Sequence, residues 1–308
     1  MESSATEILE IIEGLACPLC KGDLRGEQGR LFCKHCRKQY GVVNNIPCML
    51  TDETSDFEEE ITVQDNVADQ YESKRYSDKY ARMYHDWWTD LMIKHITVTG
   101  RVLDNGCGVG HILERFGPDE AVGLDISMNM LRHASRKSKR LVLGSSQQLP
   151  FKANFFDAVF CRGLLHHLPR PDQGIGEIHR VIKPKGEVVF VDPNATLISY
   201  LPRLIVRGGK QFSHDHKSFT QSIFKKMLHP YFSIDKVVYF GYIAYPLLAF
   251  PDLLNIFKYV PFKPFVAKAV MGFDHIISKI PLLRTQSWAI MVKATALELD
   301  SSRSESVV

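Results

Sequence analysis

Val102-Leu-Asp-Asn-Gly-Cys-Gly-Val-Gly110 places three glycines directly behind a short apolar run that ends in an acid. Gly106, Gly108 and Gly110 lack a Cβ, so the backbone there can take positive φ and a ligand can approach it closely. Alone, such a turn is a weak signal. It gains weight from a second apolar run, Ala121-Val-Gly-Leu-Asp125. Its terminal acid lies about twenty residues on, the spacing at which a carboxylate can grip ribose hydroxyls. A nicotinamide-binding fold shares that spacing, so other stretches must separate the two.

Four later stretches do so: Gly144-Ser-Ser-Gln-Gln-Leu-Pro-Phe151, Asn154-Phe-Phe-Asp-Ala-Val-Phe160, His166-His-Leu-Pro169, and His179-Arg-Val-Ile-Lys-Pro-Lys-Gly-Glu-Val-Val-Phe190. With these motifs in order, residues 101–192 resemble class I S-adenosylmethionine-dependent methyltransferases, particularly the branch acting on small molecules, quinones and lipids. The resemblance implies S-adenosylmethionine as cofactor. Asp104, Asn105, Gly106, Cys107, Gly108 and Gly110 would cradle its methionine end, and Asp125 with Ile126 its ribose. Ser145, Ser146 and Gln147 fall at the adenine step, and Cys161 completes the expected cofactor set. Two positions depart from the family pattern. Ser145 stands where an acid is usual, so the adenine amine would meet a neutral acceptor. Lys185 replaces the first glycine of the usual Pro-Gly-Gly turn, a structural change.

Short apolar runs near 101–105, 121–125, 140–144, 155–161 and 186–191 alternate with helical periods, which predicts an α/β fold with a parallel, doubly wound sheet. Runs 233–242 and 287–294 supply a sixth and seventh strand, one of them antiparallel as the resemblance implies. The expected fold is therefore a seven-stranded Rossmann-like sheet with additions. Residues 66–97 read as cap helices, with Tyr71, Tyr76, Tyr80 and Tyr84 near helical spacing before Trp87-Trp88. Residues 66–296 form the expected methyltransferase domain. Within it, about forty residues, 244–285, separate the last two strands where a short hairpin is usual. This insert is apolar, aromatic and proline-punctuated, and carries Lys258, Lys263, Lys268, Lys279 and Arg284 against Asp252 and Asp274, a local balance of +3. Basic and apolar together suit a membrane surface or greasy substrate, and a packed helical subdomain or a homodimer interface is the alternative. The uncharged run Val237–Pro251 has fifteen residues, short of the roughly twenty that cross a bilayer.

The chain has 308 residues, 45% of them apolar, with a net charge of +3 and mean hydropathy of −0.12, as expected of a globular protein with one full and one smaller domain. The charge is too small to imply nucleic acid. Acids among the first thirteen residues do not read as a secretory leader, so a cytoplasmic setting is expected, with membrane association through the insert. Seven cysteines argue against a disulfide framework. Four occur as Cys17-Pro-Leu-Cys20 and Cys33-Lys-His-Cys36, with twelve residues between the pairs. Two such turns can aim four thiolates at one structural zinc ion. Residues 1–50 thus read as a zinc ribbon with a structural or lid-like role, 51–65 as an acidic linker, and 297–308 as a disordered tail.

Transfer of a methyl group needs alignment and exclusion of water, with a base where the acceptor is a hydroxyl. His166 and His167 follow the fourth strand and His214-Asp215-His216 the fifth, so His167, His214 and His216 are the candidate catalytic residues. The expected activity is methylation, preferably at oxygen, of a small hydrophobic or lipid-like acceptor. RNA methylation using the ribbon, or a catalytically silent scaffold, are the alternatives.

Overall fold

The computed structural model describes residues 5–51, 58–196, 219–251 and 255–298. A short helix α1 (Ala5–Ile11) precedes two hairpins, β1 (Leu24–Glu27) with β2 (Arg30–Cys33) and β3 (Gln39–Val43) with β4 (Ile46–Cys48). Helix α2 (Glu58–Gln70) widens into a π turn at Tyr71–Tyr76, and α3 (Lys79–Ile93) follows. Asp78 starts α3 by accepting from the N–H groups of Tyr80 and Ala81. The alternating part comprises β5 (Val102–Asn105), β6 (Ala121–Asp125), α4 (Met128–Ala134), β7 (Leu141–Leu143), β8 (Phe156–Arg162), α5 (Pro171–Val181) and β9 (Ile182–Pro193). It closes with α6 (Gln221–Leu228), β10 (Phe232–Phe240), α7 (Lys263–Ile277) and β11 (Ala289–Ala296).

One continuous sheet runs β1-β2-β3-β4-β7-β6-β5-β8-β9-β11-β10. Strands β7, β6, β5, β8 and β9 are mutually parallel, while β11 runs antiparallel to both β9 and β10. The central strands are buried on both faces, so they read as unbroken apolar runs such as Val188–Val191. From β5 the chain first winds outward through β6 to β7, then returns to the other side for β8. That reversal opens a crevice at the carboxyl ends of β5 and β8, where ligands of open α/β sheets bind.

Among the described residues the sheet has eleven strands, four of them from the ribbon, which joins the sheet instead of standing apart. Strand β4 pairs in parallel with β7 through Cys48 and Leu143, and Met49 N–H donates to the Leu143 carbonyl. Leu15, Leu31 and Met49 share a core with Phe151, Phe156 and Val122. At the rim, Lys21 Nζ lies 2.8 Å from Glu177 Oε2, and Arg180 donates to the same carboxylate. Burial pulls the Lys21 amine down while Glu177 opposes this. Burial likewise raises Glu177, but its hydrogen bonds and charges from Arg180 and Lys21 prevail and hold it below the usual carboxylate range.

The expected linker 51–65 is corrected from Glu58 onward, where α2 begins. Glu58, Glu59 and Glu60 occupy its first turn and complement the positive helix end. The described residues of the insert 244–285 contain a π turn at Tyr245–Ala249, a tight turn at Phe257–Tyr259 and one long helix, α7. No described helix is long and apolar enough to cross a membrane. Of the expected tail, Leu297 and Glu298 are described and the rest lies outside the described residues.

Candidate active site

A cavity of about 370 Å³ opens over the carboxyl ends of β6, β5, β8 and β9. Its floor is the glycine turn. Gly106, Gly108 and Gly110 all have positive φ, at 77°, 51° and 81°. A Cβ on Gly108 would meet no protein atom within 4 Å, so it would occupy cavity space instead. The loop is tied to the next strand by the Gly108 N–H, which donates to Asp125 Oδ2 at 2.8 Å. Asp125 Oδ1 accepts from Ser127 N–H at 2.9 Å. Burial raises the Asp125 carboxyl to about 6, and these backbone donors pull against it.

Asp104 is buried, and neither of its carboxylate oxygens has a hydrogen-bond partner. Burial pushes it up to about 8, opposed by the charge of Arg162 and reinforced by Asp125. A buried carboxyl without a donor is costly, and an ammonium in the cavity would satisfy it.

Arg162, at the end of β8, is the complementary group. Its Nη1 donates to Thr89 Oγ1 at 3.0 Å and its Nη2 to His85 Nδ1 at 2.5 Å. The His85 Nε2–H is committed to the Ala249 carbonyl at 2.9 Å, which leaves Nδ1 as the acceptor. Burial, with help from Arg162, holds His85 well below its ordinary range and therefore neutral. Among the described residues no carboxylate lies within ion-pair distance of Arg162. Burial lowers its guanidinium, and it stacks 4.1 Å over Trp88. This is a rigidly held cation able to bind an oxyanion. Tyr76, Trp88, Tyr245 and Phe250 add an aromatic wall, and the Trp88 indole N–H has no partner.

On the far side His166 Nδ1 lies 2.7 Å from Asp192 Oδ1, and the His166 backbone N–H donates to the same oxygen at 3.1 Å. Burial raises Asp192 well above the usual carboxylate range, against the N–H groups of His166 and Leu165. An isolated negative charge is disfavoured there, so the pair gains by capturing one proton. That suits a base.

The expected cofactor residues Asp104, Gly106, Cys107, Gly108, Asp125, Ile126, Ser145 and Ser146 all line this cavity. Asn105, Gly110, Gln147 and Cys161 stand behind the lining. Asn105 Oδ1 accepts from Ser146 Oγ at 2.6 Å, Gly110 packs on Ala134, and Gln147 bonds Gln173 away from the cavity. The Cys161 thiol is wholly buried and pushed well above its usual range by burial, which makes it a packing group. His167 lines the cavity with its Nδ1 2.9 Å from Glu60 Oε1. His214 and His216 lie outside the described residues. Sequence reasoning missed Glu60, Arg75, Arg162 and Asp192. Arg162 and Asp192 could have been found, since both end parallel strands. Arg75 comes from the cap segment and Glu60 from the expected linker, and no local pattern announces that either lies over the cavity.

Away from the cavity, the sulfurs of Cys17, Cys20, Cys33 and Cys36 all lie within 4.8 Å of one another. Four thiolates around one zinc ion would sit ~3.8 Å apart, by tetrahedral geometry at the usual Zn–S length. Lys21 and Arg37, the residues after each Cys-x-x-Cys, take φ of 60°. Their N–H groups close tight turns onto the Cys17 and Cys33 carbonyls. The donor set fits a structural zinc site. No described residue before Glu60 lines the cavity, which argues against a lid-like ribbon.

Residues 103–190 match the family described as the methyltransferase domain. An uncharacterized protein of Methanocaldococcus jannaschii is 34% identical over 146 residues, covering 47% of this chain and 55% of that protein. The chain thus spans about half of this relative's length. A demethylmenaquinone methyltransferase of Lactiplantibacillus plantarum is 30% identical over 159 residues, covering 44% of this chain and 67% of the enzyme. Among solved structures, a SAM-dependent methyltransferase of Thermotoga maritima superposes with a TM-score of 0.52 at 15% identity, covering 76% of this chain and 98% of that one, a likeness of fold alone.

Proposed function

The chain belongs to the S-adenosylmethionine-dependent methyltransferases, and from that premise we propose that it methylates a small hydrophobic or lipid-like acceptor. The observation that carries the reading is one cavity joining an unpartnered Asp104, an open glycine turn and an aromatic wall. The residues fit the cofactor. Asp104 would hold the methionine ammonium, Gly106 and Gly108 would admit the chain closely, and Asp125 would hold the ribose. Ser145 and Ser146 would face the adenine. When bound, S-adenosylmethionine supplies an electrophilic methyl group on a sulfonium with a neutral leaving group.

The chain's own residues then align, shield and deprotonate. Trp88, Tyr76 and Tyr245 exclude water and hold the acceptor; orientation of this kind is worth ~7–11 kcal/mol of barrier in favourable cases. His166, oriented by Asp192, accepts the proton from an acceptor hydroxyl, replacing His167 as the favoured base. Arg162 steadies the oxygen as it becomes anionic. A relative named for demethylmenaquinone supports a second reading, transfer to carbon of a quinone-like ring, in which the same Arg162 would hold a ring oxygen. RNA methylation has less support, because no described residue of the ribbon lines the cavity. Zinc in the ribbon is structural in this reading.

Calorimetric titration of S-adenosylmethionine into wild type and Asp125→Ala tests the cofactor site. Labelled methyl transfer should then be screened across phenols, quinols, lipids and RNA. Absence of binding to wild type sinks the enzyme reading in favour of a scaffold, and transfer to RNA alone sinks the hydrophobic acceptor.

A further inference from the structure

Helix α7 is apolar on both sides, and only one of them is covered. Ala267 and Asp274 are buried, with Val266, Val270 and Met271 packed against the core that includes Leu248 and Phe257. The opposite side carries Phe262, Phe265, Phe273 and Ile276, which are 82%, 75%, 49% and 58% exposed. Tyr259 before the helix and Leu282 after it are 78% and 87% exposed and extend the patch. Phe262 holds a left-handed conformation, φ 50°, that bulky residues rarely adopt, and in it the ring stays in solvent. A helix apolar all round is ordinarily enclosed, and a patch this continuous marks an interaction surface.

The charge around the patch selects the partner. Lys258, Lys268, Lys279 and Arg284 are exposed along the same segment and Lys263 is half-buried, and Asp274 is the one acid between residues 255 and 286. Asp274 does not face outward: its carboxylate accepts from the N–H groups of Tyr242, Ile243 and Ala244 at 2.8–3.1 Å. The outer surface of this segment is therefore five cations and no acid. Two copies pairing through the same face would bring like charges together, so a symmetric dimer is disfavoured. An anionic bilayer complements both features at once.

We propose that residues 256–284 form an interfacial docking surface that inserts the aromatic and aliphatic side chains of α7 and its flanks into an anionic membrane. The carboxylate of Asp274 ties this surface to the backbone at 242–244, immediately before Tyr245, Pro246 and Phe250, which wall the cavity. Docking would thus hold the cavity wall beside a lipid-borne acceptor. That last step rests on the hydrophobic-acceptor reading, whereas docking itself does not.

The test is flotation of the full chain with vesicles of phosphatidylcholine alone or mixed equally with phosphatidylglycerol, without cofactor. Binding should require the anionic lipid and weaken with salt. Lys258→Gln with Lys263→Gln should weaken it about 25-fold, from roughly fivefold per cation at a membrane surface. Phe262→Ser with Phe265→Ser should abolish flotation, while calorimetric binding of S-adenosylmethionine verifies that each variant remains folded. Equal binding to neutral vesicles, or no flotation of a wild type that still binds cofactor, overturns the proposal. So does a wild-type dimer in light scattering that the same phenylalanine changes dissolve. Flotation with no transfer to any lipid-soluble acceptor would refute the acceptor reading and leave docking standing.

Discussion

If Asp104 holds the cofactor's ammonium as proposed, cofactor binding should depend on pH. Burial holds its carboxyl at about 8, so at pH 7 roughly nine-tenths of the protein carries it protonated. An ammonium binds the ionised form, and an α-amino group itself loses its proton near ~7.7–8.0. Affinity should therefore peak near pH 8. Between pH 8 and pH 6 the ionised fraction of Asp104 falls from about one half to ~0.01, while the ligand ammonium rises about 2.5-fold. The product drops about twentyfold, ~2 kcal/mol, and Asp125, at about 6, adds roughly a further factor of two. Calorimetry at pH 6, 7, 8 and 9, in two buffers of different ionisation heat, should show roughly 0.8 proton released on binding at pH 7. Asp104→Asn should bind more weakly at pH 8 and lose all of the acid limb except the Asp125 contribution. The same substitution should stabilise the ligand-free protein. A carboxyl whose folded pKa is raised loses stability as pH climbs from its unfolded to its folded value, on the order of 4 kcal/mol by pH 7. Affinity that is flat between pH 6 and 8, or an acid limb that survives in Asp104→Asn, would refute this reasoning.

Other expectations concern the loop, the base, the ribbon and its seam. Gly108→Ala should leave the melting temperature within a few degrees yet cut cofactor affinity at least tenfold, because its Cβ projects into the cavity at φ 51°. Gly123→Ala should instead cost ~1–3 kcal/mol in denaturant unfolding, since its Cβ would fall within 3.0 Å of Leu113, Leu141 and Cys107. Asp192→Asn should lower the rate constant for a hydroxyl acceptor about a hundredfold or more without changing cofactor affinity, a split read from single-turnover kinetics. Cys33→Ser should lose stoichiometric zinc by metal analysis and lower thermal stability, because the ribbon shares the main core. Glu177→Gln should destabilise by ~1–3 kcal/mol at pH 7. Because the Glu177 pKa is depressed, its contribution is present above the unfolded value near 4.3 and disappears as pH falls below it, so the variant and wild type should converge in acid.

Local pattern alone carried the alternating strands, the glycine turn with Asp104 and Asp125, and the paired Cys-x-x-Cys knuckles. Each depends on short-range chemistry: apolar runs make buried strands, glycine permits positive φ, and two residues between cysteines let both thiols face one point. Tertiary structure decided what lies between distant parts of the chain. Met49 and Leu143 join the ribbon to the sheet edge, a pairing written nowhere in either segment because backbone hydrogen bonds carry no residue code. Arg162 became an anchor only when α3 brought His85 and Thr89 against it, and Asp192 became half of a dyad only when β9 settled beside β8. The apolar, basic character of 244–285 was visible as composition. Which of its side chains face the core and which face water depended on where α7 docks, and a helix apolar on both sides leaves that choice to its neighbours.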